Sequence, residues 1–125
     1  MHFHRRQWDH WFVLSGSAFV ALADLRSGSP TDAEIVTLSL SEDEPRALFV
    51  PPGVAHGFYA QSDCAMLYLV DAEFDGSDEQ GIAWNDPGLA IPWPAADPVL
   101  SDRDKTNPSL AEVLLDPPRY RPAVG

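Results

Sequence analysis

Three of the four histidines, His2, His4 and His10, fall within the first sixteen residues, and the fourth, His56, follows the corner Pro51-Pro52-Gly53. Asp9 stands among the first three. Imidazole titrates near neutral pH, so it can move protons, and as a neutral ring it is also the commonest metal ligand. On a strand side chains alternate with period two, so His2 and His4 point the same way. Any chemistry then depends on what holds the His2–His4 segment near the His56 segment. The expectation is two short His-bearing strands facing each other across a small barrel.

The elements that must position them are short and strand-like. Trp8 to Leu14 is aromatic and β-branched, Ser15-Gly16-Ser17 reads as a turn, and Ala18 to Leu25 follows, which predicts a hairpin. Ala33 to Leu40 alternates like a half-buried strand. Ala47 to Val50 is a short apolar strand stopped by Pro51-Pro52-Gly53. Two further strands are expected over His56 to Ala60 and Cys64 to Phe74. Beyond Phe74, Pro87, Pro92, Pro94 and Pro98 predict an extended, ladder-poor stretch. Asn107-Pro108 predicts a helix start, with Ser109 and Glu112 able to add a capping box and Leu110, Val113 and Leu114 as its apolar stripe. Residues 116–125 read as an extended tail. Many short strands separated by turns predict an all-β barrel or jelly roll with a short C-terminal helix, formed as a single domain over 1–125.

Composition narrows the partners. The 125 residues carry a net charge of −11, which argues against nucleic acid, because phosphate binding needs a basic face. An anionic ligand would need local help from Arg5, Arg6, Arg26, Arg46 or Arg103. No apolar run reaches the length of a membrane span and no leader pattern is read, so the expectation is a cytoplasmic protein without a membrane partner. The lone Cys64 excludes an internal disulfide and reads as an inert packing residue.

Two motifs resemble those of the cupin superfamily. His2-x-His4, four residues, Asp9, six residues and Gly16 resemble the first, with Asp9 where Glu is usual. Pro51-x-Gly53-x-x-His56 resembles the second, with Ala60 in place of its later Asn. A closer resemblance, over almost the whole chain, is to the dTDP-4-dehydrorhamnose 3,5-epimerase family, itself a cupin-type jelly roll. It is carried by Ala23-Asp-Leu-Arg26 with Ser29-Pro-Thr31, by Arg46 leading into Phe49-Val-Pro51, and by Pro52-Gly-Val-Ala-His-Gly-Phe58 and Tyr68. Glu79-x-Gly-Ile-x-Trp-Asn-Asp-Pro87, Leu89-Ala-Ile-x-Trp-Pro94 and Leu100-Ser-x-Arg-Asp104 continue it. The match begins at the catalytic-histidine segment, without the family's N-terminal strands.

The resemblance implies an isomerase of carbohydrate biosynthesis that works next to a carbonyl on a nucleotide-linked 4-keto-6-deoxy sugar, without metal or other cofactor. Such epimerisation needs a base to remove a carbon-bound proton and an acid to return one to the opposite face of the enolate. By resemblance His2 is the base, Asp104 the carboxylate that fixes its tautomer and Tyr68 the acid. His56 is implied near the enolate oxygen, Phe74 as the aromatic that stacks on the base of the nucleotide, and Glu79 and Arg103 as ligand contacts, Arg103 replacing a Lys. A homodimer is expected, since such barrels cover exposed edges with a partner.

Three departures stand out. Asp9 replaces the family's lysine, His4 replaces its Gln, and the Arg-Gly before the catalytic histidine is not in this chain. Two cations are lost and an anion is gained, which works against gripping a diphosphate. The same departures suit a metal-binding cupin. His2, His4, His56 and Asp9 supply three imidazoles and a carboxylate, suited to divalent Fe, Mn, Ni or Zn with isomerase or oxygenase chemistry. A third reading is a non-catalytic cupin that binds a sugar. Each residue also has a plain structural reading. His2 is a terminal residue, His10 a surface or core histidine, His56 a turn residue held by backbone bonds, Tyr68 core, Asp104 a loop cap. Asp9 is a surface anion or a partner of Arg5 or Arg6, themselves solvated, and the four tryptophans are packing.

Overall fold

A computed structural model describes residues 1–122. Eight strands and one helical turn form in chain order: β1 (His2–His4), β2 (Asp9–Ser15), β3 (Ser17–Asp24), β4 (Ile35–Ser41), β5 (Ala47–Val50), β6 (Val54–Ala60), β7 (Ala65–Val70), β8 (Glu79–Gly81) and α1 (Leu110–Val113). They build a five-stranded sheet, β4-β3-β6-β1-β8, and a three-stranded sheet, β5-β2-β7, with every pairing antiparallel. This is the all-β jelly-roll sandwich that the strand pattern and the cupin motifs predict, with its short C-terminal helix.

Each sheet's alternation shows what it packs against. On β3, Ala18, Val20 and Leu22 join Trp11 and Val13 of β2 and Leu40 of β4 in a core between the sheets. The other face of β3, Ala21 and Ala23, joins Phe3, Leu25, Ala55, Ile82 and Leu89 in a second core. Trp84, Trp93, Leu110 and Val113 cover that core, so the proline-rich stretch and α1 form a lid over the back of the larger sheet. The Trp93 indole N–H donates to the Trp84 carbonyl at 2.8 Å, which satisfies the ring's polar atom as it packs.

Five local expectations are corrected. β2 and β3 do not pair as a hairpin: the chain crosses from one sheet to the other at Gly16. Gly16 has φ +73°, and a Cβ there would lie 2.0 Å from the Asp63 carbonyl oxygen. Only glycine fits that corner without strain. The two His-bearing strands do not face each other across a barrel. They are neighbours in one sheet, with His2 opposite His56. β7 ends at Val70, so Phe74 lies on an exposed loop rather than on a strand. The helix is capped by Ser109, not Asn107, and the Ser109–Glu112 capping box is complete. Asn107 instead donates its amide to the Met1 carbonyl and to Asp104. Leu114 caps the C-terminus of α1 and lies half-exposed, outside the apolar stripe.

The start of the tail is pinned. Ser27 and Arg119 form a parallel bridge, and the Arg26 guanidinium lies 5.2 Å over the Tyr120 ring. Residues 123–125 of the expected tail lie outside the described residues. Nearby, Asp24 is buried and accepts bonds from the Arg26 guanidinium and backbone N–H and from the Ser29 and Thr31 hydroxyls. Burial works to raise the Asp24 carboxyl, but these donors outweigh it and hold it well below the usual carboxylate range. Among the described residues, no helix is long and apolar enough to cross a membrane.

Candidate active site

Strand register places the candidate groups. Leu22 faces the inter-sheet core, and its register partner is His56, whose own partner is His2. Directly opposed residues in a ladder share a face, and period two brings His4 onto it as well. On the facing sheet, Asp9 and Trp11 are buried on the inner face of β2, and Tyr68 of β7 is the register partner of Trp11. All these side chains therefore converge on the space between the sheets. A cavity of about 670 Å³ opens there, lined by His2, His56, Tyr68, Trp11, Trp84 and Asp104 among others.

At one end of the cavity stands an imidazole–carboxylate pair. His2 Nε2 is 2.9 Å from Asp104 Oδ1, and His2 Nδ1 is 3.2 Å from Glu79 Oε1. Arg103 in turn grips Glu79 at 2.5 Å. The Ser101 hydroxyl donates to Asp104 Oδ2 at 2.7 Å, and Asn107 and the Met1 amino group also reach Oδ1. Burial is the main force pushing the His2 imidazole below its ordinary value, with the Met1 amino group and Arg103 adding to it. Asp104 and Glu79 pull the other way without reversing the shift. Burial works to raise the Asp104 carboxyl, but the Ser101 bond, the Met1 amino group and His2 prevail, and the net shift is downward. The result is a neutral imidazole beside an ionised carboxylate, a base with its orienting group in place.

A second cluster lies beneath the cavity around Asp9, which is 1% exposed. Asp9 Oδ2 accepts from the Tyr68 hydroxyl at 3.0 Å and lies 2.7 Å from His56 Nε2 and 3.6 Å from His4 Nε2. The Gln7 amide donates to Oδ1 at 2.6 Å. The Val54 carbonyl accepts from His56 Nδ1 at 3.0 Å. Burial works to raise the Asp9 carboxyl, but His56 and Gln7 outweigh it and the net shift is downward. Burial and the neighbouring Asp9 charge push the Tyr68 phenol well above its ordinary value, so it stays protonated. His56 Nε2 is thus taken up by Asp9 rather than turned toward the cavity. The Trp11 indole N–H and His4 Nδ1 are buried without a partner.

Of the residues expected to act together, the structure brings His2 to Asp104 and sets both on the cavity that Tyr68 and His56 also line. The four-residue metal set is corrected. His4, Asp9 and His56 cluster, while His2 is held away from them by Asp104 and Glu79. Phe74 is 81% exposed and does not line the cavity. Glu79 touches His2, and Arg103 touches Glu79. Asp9 pairs with neither arginine: Arg5 bonds Asp116, while Arg6 bonds Asp75 and contacts Asp78. Sequence reasoning missed Gln7 and Ser101. The available signals were parity with Asp9 for Gln7, two residues before it, and the Ser-x-x-Asp spacing for Ser101, which the Asp104 N–H to Ser101 Oγ bond closes into a turn.

Comparisons with known proteins by sequence and by fold agree with one another. The sequence profile of the dTDP-4-dehydrorhamnose 3,5-epimerase family matches residues 1–112. The chain is 40% identical over 104 residues to the enzyme of that name from Mycobacterium tuberculosis, covering 80% of this chain and 52% of the relative. It is 42% identical over 98 residues to a dTDP-4-dehydrorhamnose 3-epimerase of Streptomyces niveus, covering 78% of this chain and 47% of that one. The chain thus spans about half the length of these curated relatives. A solved M. tuberculosis epimerase superposes with a TM-score of 0.89 at 36% identity, over 96% of this chain and 64% of that one. A 4-keto-6-deoxy sugar epimerase from the novobiocin cluster of Streptomyces spheroides gives 0.86 at 37% identity, over 95% and 63%. By profile, identity and fold, the chain belongs to the dTDP-4-dehydrorhamnose 3,5-epimerase family.

Proposed function

We propose that this chain, acting as a single cupin-type domain, is an isomerase that epimerises a nucleotide-linked 4-keto-6-deoxy sugar by proton transfer next to the ketone. The observation that carries the reading is the His2–Asp104 pair at 2.9 Å, on the same cavity as the Tyr68 phenol. Neutral His2 takes the proton from the carbon beside the carbonyl, and the electron pair moves onto the ketone oxygen as an enolate. Asp104 holds the ring and stabilises the imidazolium that forms. Tyr68, its hydroxyl turned from Asp9 toward the substrate, gives a proton to the opposite face of that carbon as the enolate collapses to the ketone, and the phenolate and the His2 imidazolium are then reset by proton exchange with solvent. These steps need no cofactor. His56 shapes the cavity wall beside the reacting carbons, with its ring nitrogens engaged by Asp9 and Val54. Glu79 and Arg103 orient His2 from behind, and exposed Phe74 and partly exposed Arg103 are the groups offered to the nucleotide.

Relatives support the substrate class. One similar structure, from Legionella pneumophila, is described in complex with dTDP-4-keto-L-rhamnose. The assembly we propose is a cytoplasmic homodimer. On β5-β2-β7 the outward face sets exposed Phe49, Leu67, Leu69 and Leu14 around His10, and a second copy would cover it. The test is to incubate the protein with a dTDP-4-keto-6-deoxy sugar and follow the sugar-ring protons by NMR. Appearance of a C3 or C5 epimer supports the reading, and an unchanged ketosugar after prolonged incubation rejects it.

A further inference from the structure

His4, Asp9 and His56 each offer one ligand atom, and these atoms all lie within 4.8 Å of one another. All three residues are buried, His4 at 6% and His56 at 4% exposure. We propose that this trio binds one divalent transition-metal ion beside the cavity. The inference goes beyond the isomerase reading and does not rest on it, because His2 lies outside the trio and an ion there leaves the base free.

The hydrogen bonding around the trio carries the proposal. A carbonyl only accepts, so the Val54 oxygen requires the proton of His56 to sit on Nδ1. In the neutral ring, Nε2 then presents a lone pair toward Asp9 Oδ2, 2.7 Å away. A nitrogen and a carboxylate oxygen that close must share a positive centre, a proton when the site is empty or a metal ion when it is loaded, and His4 Nε2, 3.4 Å from the Gln7 amide, lies 3.6 Å from the same oxygen. Ligand-to-ligand gaps of about 3 Å are what metal bonds of about 2.0–2.2 Å generate. The groups behind His56 and Asp9 are in place too, while His4 Nδ1 has no partner. Val54 orients His56, the Gln7 amide orients Asp9 through Oδ1, and the Tyr68 hydroxyl bonds Oδ2. Such outer partners fix ligand rotamers before the ion arrives.

Two imidazoles and one carboxylate favour Zn(II), Fe(II), Co(II) or Ni(II) over Mg(II) or Ca(II), which prefer oxygen. Three protein ligands leave positions open, and His56 and Tyr68 connect the trio to the cavity. A cation here offsets the buried Asp9 charge.

The test strips the full chain with EDTA, dialyses it against Co(II) or Zn(II), and counts metal by elemental analysis, with the visible Co(II) spectrum as a second readout. The expected result is one equivalent in the parent, in His2→Asn and in His10→Ala. His4→Ala and Asp9→Asn lower affinity more than about tenfold. If those variants do not fold, nitrogen NMR of the parent decides: Zn(II) must shift the His4 and His56 ring signals and not those of His10. No stoichiometric metal in the parent, undiminished binding in both variants, or unshifted His4 and His56 signals overturns the proposal. The count is independent of turnover, so it fails or succeeds apart from the isomerase reading.

Discussion

The Tyr68 hydroxyl donates to Asp9 Oδ2 at 3.0 Å, and the same oxygen lies 2.7 Å from His56 Nε2. The phenol is therefore tied to a buried anion that keeps it protonated. Tyr68→Phe removes the acid and leaves the packing against Trp11. The expected outcome is a fall in kcat of about 10²–10⁴-fold with KM little changed. Steady-state kinetics beside a thermal melt would check it, and a fall confined to KM would remove Tyr68 from the chemistry.

Asp104 acts through His2. Asp104→Asn keeps the size of the side chain but loses the charge that stabilises the imidazolium, so kcat falls by at least about 10²-fold. Ser101→Ala frees one carboxylate oxygen and costs less, about tenfold or under. Equal effects of the two changes would mean that Asp104 serves only the loop.

The pH profile follows from the direction of the His2 shift. Its folded value lies below the ordinary 6.5, so the ring stays an unprotonated base until pH drops under that value. The acidic limb of kcat/KM should therefore fall below pH 6.5. Protonating His2 also costs the fold stability, since the unfolded chain takes up that proton more readily. The cost starts as pH falls below 6.5. An acidic limb above pH 7 would contradict the assignment.

Asp24 makes a separate stability prediction. Its folded value is depressed, so its contribution is full above the ordinary 3.8 and is lost as pH falls through the depressed value. Asp24→Asn leaves the Arg26 guanidinium without its counter-charge and should destabilise by about 3 kcal/mol at pH 7. Urea melts at pH 7 and pH 3 would check both statements, the difference between parent and variant shrinking at the lower pH.

The outer face of β5-β2-β7 predicts its own variant. Leu69→Asp sets a charge among Phe49, Leu67 and Leu14 and should convert a dimer to a monomer in light scattering while the far-ultraviolet spectrum stays unchanged. A dimer that survives the change lies on another face.

Strand content and order were legible because alternation and turn residues are local signals. The pairing of His2 with Asp104 was legible only through the family blocks that carry both, since 102 residues separate them. Asp9 misled because its neighbours Trp8 and His10 give no hint of depth. Only its register on β2, opposite Val50 and Val70, puts it inside. The β2–β3 hairpin failed for a related reason. Ser15-Gly16-Ser17 reads alike whether it reverses a ribbon or carries the chain between sheets, and the core shared by Trp11, Val13, Ala18 and Val20 selects the second. Phe74 was extended onto a strand because apolar composition continues to Val70, and Asp71 then turns outward to accept the Trp8 amide.

Solvent deuterium wash-in tests the central claim, that His2 is the base, most directly. With a dTDP-4-keto-6-deoxy sugar in D₂O, the parent protein should place deuterium on the carbon next to the ketone, and His2→Asn should slow that exchange by at least about 10²-fold while still binding the ligand. Exchange at the parent rate in His2→Asn would contradict the account.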